Sequence, residues 1–325
     1  MNISGMNRRK KGQHPNEPEQ PSLHDADHAL QSDLLKAFSG YPAEQRGGRL
    51  ASSDMTAPDT IFLIAGNGTY PRLAARGARE AGVSRIVAAA FEGETDPSLA
   101  TFTDELHWMR VGQLGRMLDA AKASGATASM MAGQIAPGNL FDLRPDFKAL
   151  LLLAKLRERN AETLFGAIAG ELEKIGVPLL LATTFLEKHL APGGLIAGPA
   201  PKDRLLDDIS YGLGIAKEVS RLDIGQTVVV RNGTVLAVEG FDGTDATIRR
   251  GGELGKGKSV VVKVSKPRQD MRFDVPVIGP RTLETAAAAG VTAIAMEAGR
   301  TLLLDGDHLR DFAATHRITL WGTPS

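Results

Sequence analysis

The chain has 325 residues, 42% of them hydrophobic and only 5% aromatic, with 36 Gly and 17 Pro, which is a globular composition rich in tight turns and excludes a low-complexity or fibrous chain. Lys+Arg and Asp+Glu are 38 each, so the net charge is zero and a protein that holds nucleic acid by neutralising phosphates is not expected. There is no cysteine, which rules out a disulfide scaffold, a thiolate zinc site and a Cys nucleophile, and fits a reducing cytoplasm.

At roughly 100–200 residues per domain, the length predicts two domains. No stretch approaches the roughly 20 apolar residues that span a bilayer, so a soluble chain is expected. Arg8, Arg9, Lys10 and Lys11 are not followed by an apolar stretch, so no signal peptide is expected. Residues 1–58, rich in Asn, Pro, Gln, Ser, Asp and His, read as a disordered polar tail.

Order begins at Thr60. Ile61 to Ala65 is continuously apolar, as a strand covered on both faces should be. Gly66-Asn67-Gly68-Thr69-Tyr70-Pro71 follows, then a helix over Arg72 to Ala81. Strands are predicted at Ser84–Ala90, Glu105–Arg110 and Ala126–Ala132, and a helix at Gln113–Ser124. Strands alternating with helices mean βαβ units and a parallel sheet. One long helical region is predicted from Asp146 to Ile175, ahead of the apolar Leu179 to Leu181. Residues 59–190 therefore read as a Rossmann-like domain.

Residues 191–204, dense in Gly and Pro, read as a linker, and 205–325 as a mixed α/β domain. The second domain opens with a helix at Leu205–Arg221. Thr227–Arg231 and Thr234–Glu239 flank Asn232-Gly233, a hairpin signal because both turn residues must tolerate positive φ. Further strands are expected at Ser259–Val264, Thr292–Met296 and Thr301–Leu304, with helices at Arg281–Ala289 and Asp307–Thr315.

Four segments carry candidate chemistry. Gly252 to Ser259 matches the phosphate-loop pattern, but a strand follows it where a helix is needed, so it reads as a Gly/Lys loop. Gly66 to Pro71 does lie between strand and helix; it suits either an anion at the helix N-terminus or a plain turn. Glu239, Asp242 and Asp245, on a glycine-punctuated turn, could converge on one hard cation, with Asp223 nearby. The alternative is a solvated turn with Thr244 or Asp245 capping a short helix. The basic stretch Lys263 to Asp274 is either a phosphate clamp or an exposed edge strand and loop. His107, His189, His308 and His316 are scattered and no GxSxG elbow exists, so triad chemistry has little support.

Five blocks, taken in order, resemble the cytoplasmic UDP-2,3-diacylglucosamine hydrolases of the LpxI type, from lipid A biosynthesis. They are IAGNGTYP from Ile64, RLDIGQTVVV from Arg221, VLAVEGFDGTDATIRR from Val235, KVSKPRQDMRFDVPVIGP from Lys263 and AIAMEAGRTLLLD from Ala293. The resemblance spans about residues 60 to 323. It implies cleavage of a lipidated UDP-sugar at its pyrophosphate, with magnesium and water attack on the α-phosphorus, giving UMP and 2,3-diacylglucosamine 1-phosphate. It also implies a nucleotide-contacting N-terminal domain, a catalytic C-terminal domain and lipid between them.

By that resemblance Asp245 is the key acidic residue, and Glu239, Asp242 and Thr244 belong to the catalytic set. Asp242 stands where the family usually has Glu. Asp245, with Glu239 or Asp242, could hold magnesium or orient the water, and Arg249, Lys263 and Lys266 could balance the phosphates. Gly66, Asn67 and Gly68 would seat uridine or the distal phosphate, with Gly133 and Gln134 on the same side. The apolar surface around Leu150 to Leu164 is the candidate for the acyl chains. Peripheral contact with the inner membrane surface and homo-oligomerisation stay open.

Overall fold

The computed structural model of the chain describes residues 57–135, 145–156, 161–267 and 269–324; the expected tail up to residue 56, and Arg268 of the basic stretch, lie outside these. β1 (Thr60–Ala65), β2 (Arg85–Phe91), β3 (Glu105–Met109) and β4 (Ala128–Ala132) form a wholly parallel sheet in the order β3-β2-β1-β4. Successive residues of a strand face opposite sides. Accordingly Ile61 and Leu63 pack with Ala74, Ala75 and Ala78 of helix α1 (Tyr70–Glu80). Phe62 and Ile64 pack with Leu118 of α2 (Leu114–Ala123), Leu152 of α3 (Phe147–Lys155) and Leu172 of α4 (Ala161–Lys174). Both faces are covered, which is why the strands read as unbroken apolar runs.

The chain steps outward from β1 to β2 and β3, then returns to the other side of β1 as β4. Such a reversal opens a crevice beyond the carboxyl ends of β1 and β4. The single long helix expected over 146–175 is two helices. Asp146 starts α3, its carboxylate accepting the Ala149 amide at 2.9 Å, and Leu156 is already extended (φ −81°, ψ 125°), which ends it.

The second sheet is mixed. In chain order its strands are β5 (Gly194–Ala197), β6 (Thr227–Arg231), β7 (Thr234–Val238), β8 (Ser259–Lys263), β10 (Val291–Glu297) and β12 (Thr319–Thr323), arranged β5-β12-β10-β8-β6-β7. β9 (Val277–Ile278) and β11 (Leu302–Leu303) make a separate parallel pair. The stretch read as a linker thus supplies β5, antiparallel to β12, and the start of helix α5 (Asp203–Arg221). Its glycines permit that: Gly198 has φ +78° and lies directly against Ile318. α5 covers one face through Ile209 and Ala216. Helices α6 (Gly243–Leu254), α7 (Pro280–Ala288) and α8 (Gly306–Thr315) cover the other through Ile248, Leu283 and Leu309.

The Asn232-Gly233 hairpin forms as expected, with φ of +50° and +68°. Its two amides also bond the buried Asp208 carboxylate of α5, at 2.9 and 2.8 Å, pinning the turn to the helix beneath it. The main departure is the length of α6: the sequence reads as a turn, with a short helix capped by Thr244 or Asp245 as one alternative, and then a Gly/Lys loop, whereas the helix runs on through Gly251 and Gly252. Its glycines are packing residues: a methyl group on Gly251 would overlap Val229, and one on Gly252 would overlap Ala289. The phosphate-loop look-alike is therefore the end of a helix and the approach to β8, with no nucleotide-cradling geometry.

Candidate functional site

At the carboxyl ends of β1 and β4 the two loops cross backbone to backbone. Gly66 donates its amide to Ala132 at 2.8 Å, and Asn67 to the Gln134 carbonyl at 2.7 Å. A Cβ on Gly66 would lie 2.5 Å from the Gln134 oxygen, and one on Gly133 (φ +93°) 2.6 Å from the Asn67 oxygen. These glycines are demanded by the crossing itself. Gly68 differs, with φ +84° and open space around it. The Asn67 side chain donates to Glu94 at 2.8 Å. Pro71 sits in the first turn of α1, where no amide donor is missed.

The other half contributes charge. Glu239, just past β7, accepts the Thr244 hydroxyl at 2.7 Å and the Gln226 amide at 3.2 Å. Lys263, at the end of β8, donates to the Thr244 oxygen at 3.2 Å. Desolvation pulls the Lys263 ammonium below its ordinary value, against the opposing charges of Glu239, Asp245 and Asp274. Asp245, in the first turn of α6, is mostly buried and pairs with Arg281 at 2.7 Å. Glu239, Thr244, Asp245 and Lys263 are thus brought together, and neither Thr244 nor Asp245 caps the helix. Asp242 is not with them. It is exposed, accepts the Gly240 amide at 3.1 Å and pairs with Arg250, whose hydrogen bond lowers its carboxyl below the ordinary range. Arg249 is exposed on α6 and makes no hydrogen bond or ion pair among the described residues.

Between the two edges lies a cavity of about 570 Å³. Gly66, Gly133 and Gln134 line it from the first sheet, and Asp223, Gln226, Lys266 and Asp274 from the second half. Its wall is otherwise largely apolar, including Leu152, Leu153, Leu164 and Phe165. Lys266 pairs with Asp223 at this wall. Desolvation pulls the Lys266 ammonium down, but the hydrogen bond and charge of Asp223, then Asp274 and Glu162, carry it above its ordinary value. Gln226 donates its amide to Glu239, and Asp274 acts on Lys263, so the carboxylate–lysine cluster is linked to the cavity wall through Gln226 and Asp274.

The LpxI N-terminal domain family matches residues 60–189, and the LpxI C-terminal domain family matches residues 192–321. The chain belongs to the LpxI family. A relative from Caulobacter vibrioides, UDP-2,3-diacylglucosamine pyrophosphatase LpxI, is 34% identical over 256 residues, which is 75% of this chain and 90% of the relative. Among solved structures, the biotin carboxylase domain of Hydrogenobacter thermophilus 2-oxoglutarate carboxylase is 17% identical with a TM-score of 0.24. The match covers 55% of this chain and 36% of that one, too slight a likeness to support an argument.

The LpxI fold also assembles residues that the sequence reading did not select. Glu297, at the end of β10, is 1% exposed. Its carboxylate accepts the Ser265 hydroxyl at 2.6 Å, the Ser265 amide and the Lys217 ammonium. It thereby ties down the exit of β8, from which Lys266, Phe273 and Asp274 reach the cavity. The available signal was an acid ending the apolar run Ala293 to Met296, since a charge there is buried and must be paired.

Among the described residues no group of three or more His, Cys, Asp or Glu side chains is placed to hold a metal ion. Magnesium is commonly bound by one or two carboxylates plus substrate phosphates, not by an all-protein cage. Glu239 and Asp245 are two carboxylates of that kind beside Lys263, Glu239 engaged by Thr244 and Gln226 and Asp245 by Arg281.

Proposed function

We propose that this chain hydrolyses the pyrophosphate of UDP-2,3-diacylglucosamine to UMP and 2,3-diacylglucosamine 1-phosphate, in the cytoplasm, as a step of lipid A biosynthesis. The single observation that carries the reading is the site's composition. An apolar cavity of about 570 Å³, within the usual range for small-molecule pockets, adjoins a cluster of carboxylates and lysines. Lipid and pyrophosphate need those two environments side by side. Membership of the LpxI family, and the pyrophosphatase named in the Caulobacter relative, support it.

In this reading the first, Rossmann-like sheet holds the nucleotide at its switch point, where Gly66, Asn67, Gly68, Gly133 and Gln134 present backbone to it. The acyl chains lie along Leu152, Leu153, Leu164 and Phe165. Asp245 orients the water that attacks the α-phosphorus. The bond from that phosphorus to the bridging oxygen breaks, and the leaving group departs with the oxygen on its phosphate. Glu239 holds the Thr244 hydroxyl, which sets the position of the Lys263 ammonium. Lys263 and Lys266 balance phosphate charge. Asp245 and Glu239 would hold magnesium, which would supply neutralisation of the pyrophosphate charge. Asp242, held outward by Arg250, has no part in the step.

The test is UMP release from detergent-dispersed UDP-2,3-diacylglucosamine, with and without magnesium, by wild type and Asp245→Ala. Metal-dependent release that the variant loses supports both reaction and residue. No release from a folded wild type, across metals and acyl lengths, sinks the reading.

A further inference from the structure

Helix α3 is shared between the cavity wall and the protein surface. Ala149 and Leu152 are buried and, with Leu153, line the cavity. The opposite face is apolar as well: Phe147 is 76% exposed, Leu150 51% and Leu151 47%. At about 100° per residue these three and the exposed Ala154 fall on one stripe, with Lys148 and Lys155 along its border. A helix that is apolar on both faces belongs in an interior or against lipid. This one lies at the surface. On the other half of the molecule, exposed Leu222 and Ile224 flank Asp223, which lines the same cavity. Exposed apolar side chains from both halves thus adjoin the lining of one greasy cavity.

We propose that the outward face of α3, together with Leu222 and Ile224, docks the protein on an anionic phospholipid bilayer. The inference rests on the lipidated-substrate reading above. Phe147, Leu150 and Leu151 would enter the acyl boundary while Lys148 and Lys155 extend their ammonium groups to the headgroups. A bilayer is favoured over a protein partner by the continuity of this face with the acyl-lined cavity and by the lysine border, which complements anionic lipid. Acyl chains then pass from bilayer to cavity without crossing water, which a hydrocarbon chain would do only against the hydrophobic effect.

The test uses the full chain and vesicles of phosphatidylethanolamine with phosphatidylglycerol, read by co-sedimentation, alongside turnover of the same substrate embedded in vesicles or dispersed in detergent. Phe147→Ser should weaken vesicle binding by about tenfold or more and slow vesicle turnover to match, leaving detergent turnover within about twofold. Lys148→Glu with Lys155→Glu should weaken binding to anionic vesicles and leave the weaker binding to neutral ones unchanged. Wild-type vesicle binding by both variants overturns the proposal. So does an equal loss in detergent and in vesicles, or a wild-type dimer that the serine variant splits, which would make this face an interface between copies. Failure of wild type on detergent-dispersed substrate would instead strike the reaction, and the vesicle-binding arm reads the surface independently of it.

Discussion

The edge of the first sheet that reaches the cavity consists of glycines and backbone amides, Gly66, Gly133 and Gln134, crossing at van der Waals limits. The edge of the second carries Glu239, Thr244, Asp245 and Lys263, joined by hydrogen bonds and opposing charge. The first half is therefore sensitive to volume and the second to charge. A residue's importance to the fold and its importance to chemistry separate along that line, although one cavity wall joins them, with Gln134 on one side and Gln226 and Asp274 on the other.

Four substitutions sharpen the contrast. Asp245→Ala should reduce turnover about 10²–10⁴-fold with little change in stability, the size expected when a group that positions a reacting water is lost; steady-state UMP release and a urea melt measure the two effects separately. Gly133→Ala should act the opposite way, costing about 3 kcal/mol through the Asn67 overlap and the positive φ, read as a lowered urea midpoint. Gly68→Ala, in open space, should cost only about 1 kcal/mol for its left-handed backbone. Asp242→Ala should change turnover by less than about threefold, because an exposed pair with Arg250 contributes little. A loss there as deep as that of Asp245→Ala would break the division drawn above.

A further prediction concerns pH. Burial opposes the charge on Glu297, but the hydrogen bonds of Lys217 and Ser265 outweigh it and hold the carboxyl below its ordinary value. A carboxyl lowered on folding stabilises the protein fully above its unfolded pKa and loses that contribution as pH falls through the folded one. Glu297→Gln should therefore cost about 2 kcal/mol near neutrality, the scale of a hydrogen bond to a charged group. The gap from wild type should narrow as pH drops below about 4, the ordinary glutamate range. Urea melts across that range check the slope; a constant gap would mean that Glu297 acts by packing alone.

The parallel sheet was legible because a strand buried on both faces can be written only in apolar residues, as Ile61 to Ala65 and Ile86 to Phe91 are. The Asn232-Gly233 hairpin was legible because few residues accept its backbone angles. The length of helix α6 was hidden because Gly251 and Gly252 lower helix propensity, and only the walls at Val229 and Ala289 explain them. β9 and β12 passed unseen for lack of length or alternation.

At the site, the acidic segment around Asp245 and the basic one from Lys263 were visible as separate clusters of charge. Their meeting at Thr244, the outward turn of Asp242 and the burial of Glu297 depend on side chains far apart in the chain. Residue type and local spacing decide which groups can ionise, turn or stay dry. Which carboxylate finds a lysine and which an exposed arginine is decided by the packing of one sheet against its helices, where distance and solvent access set the strength of every charge.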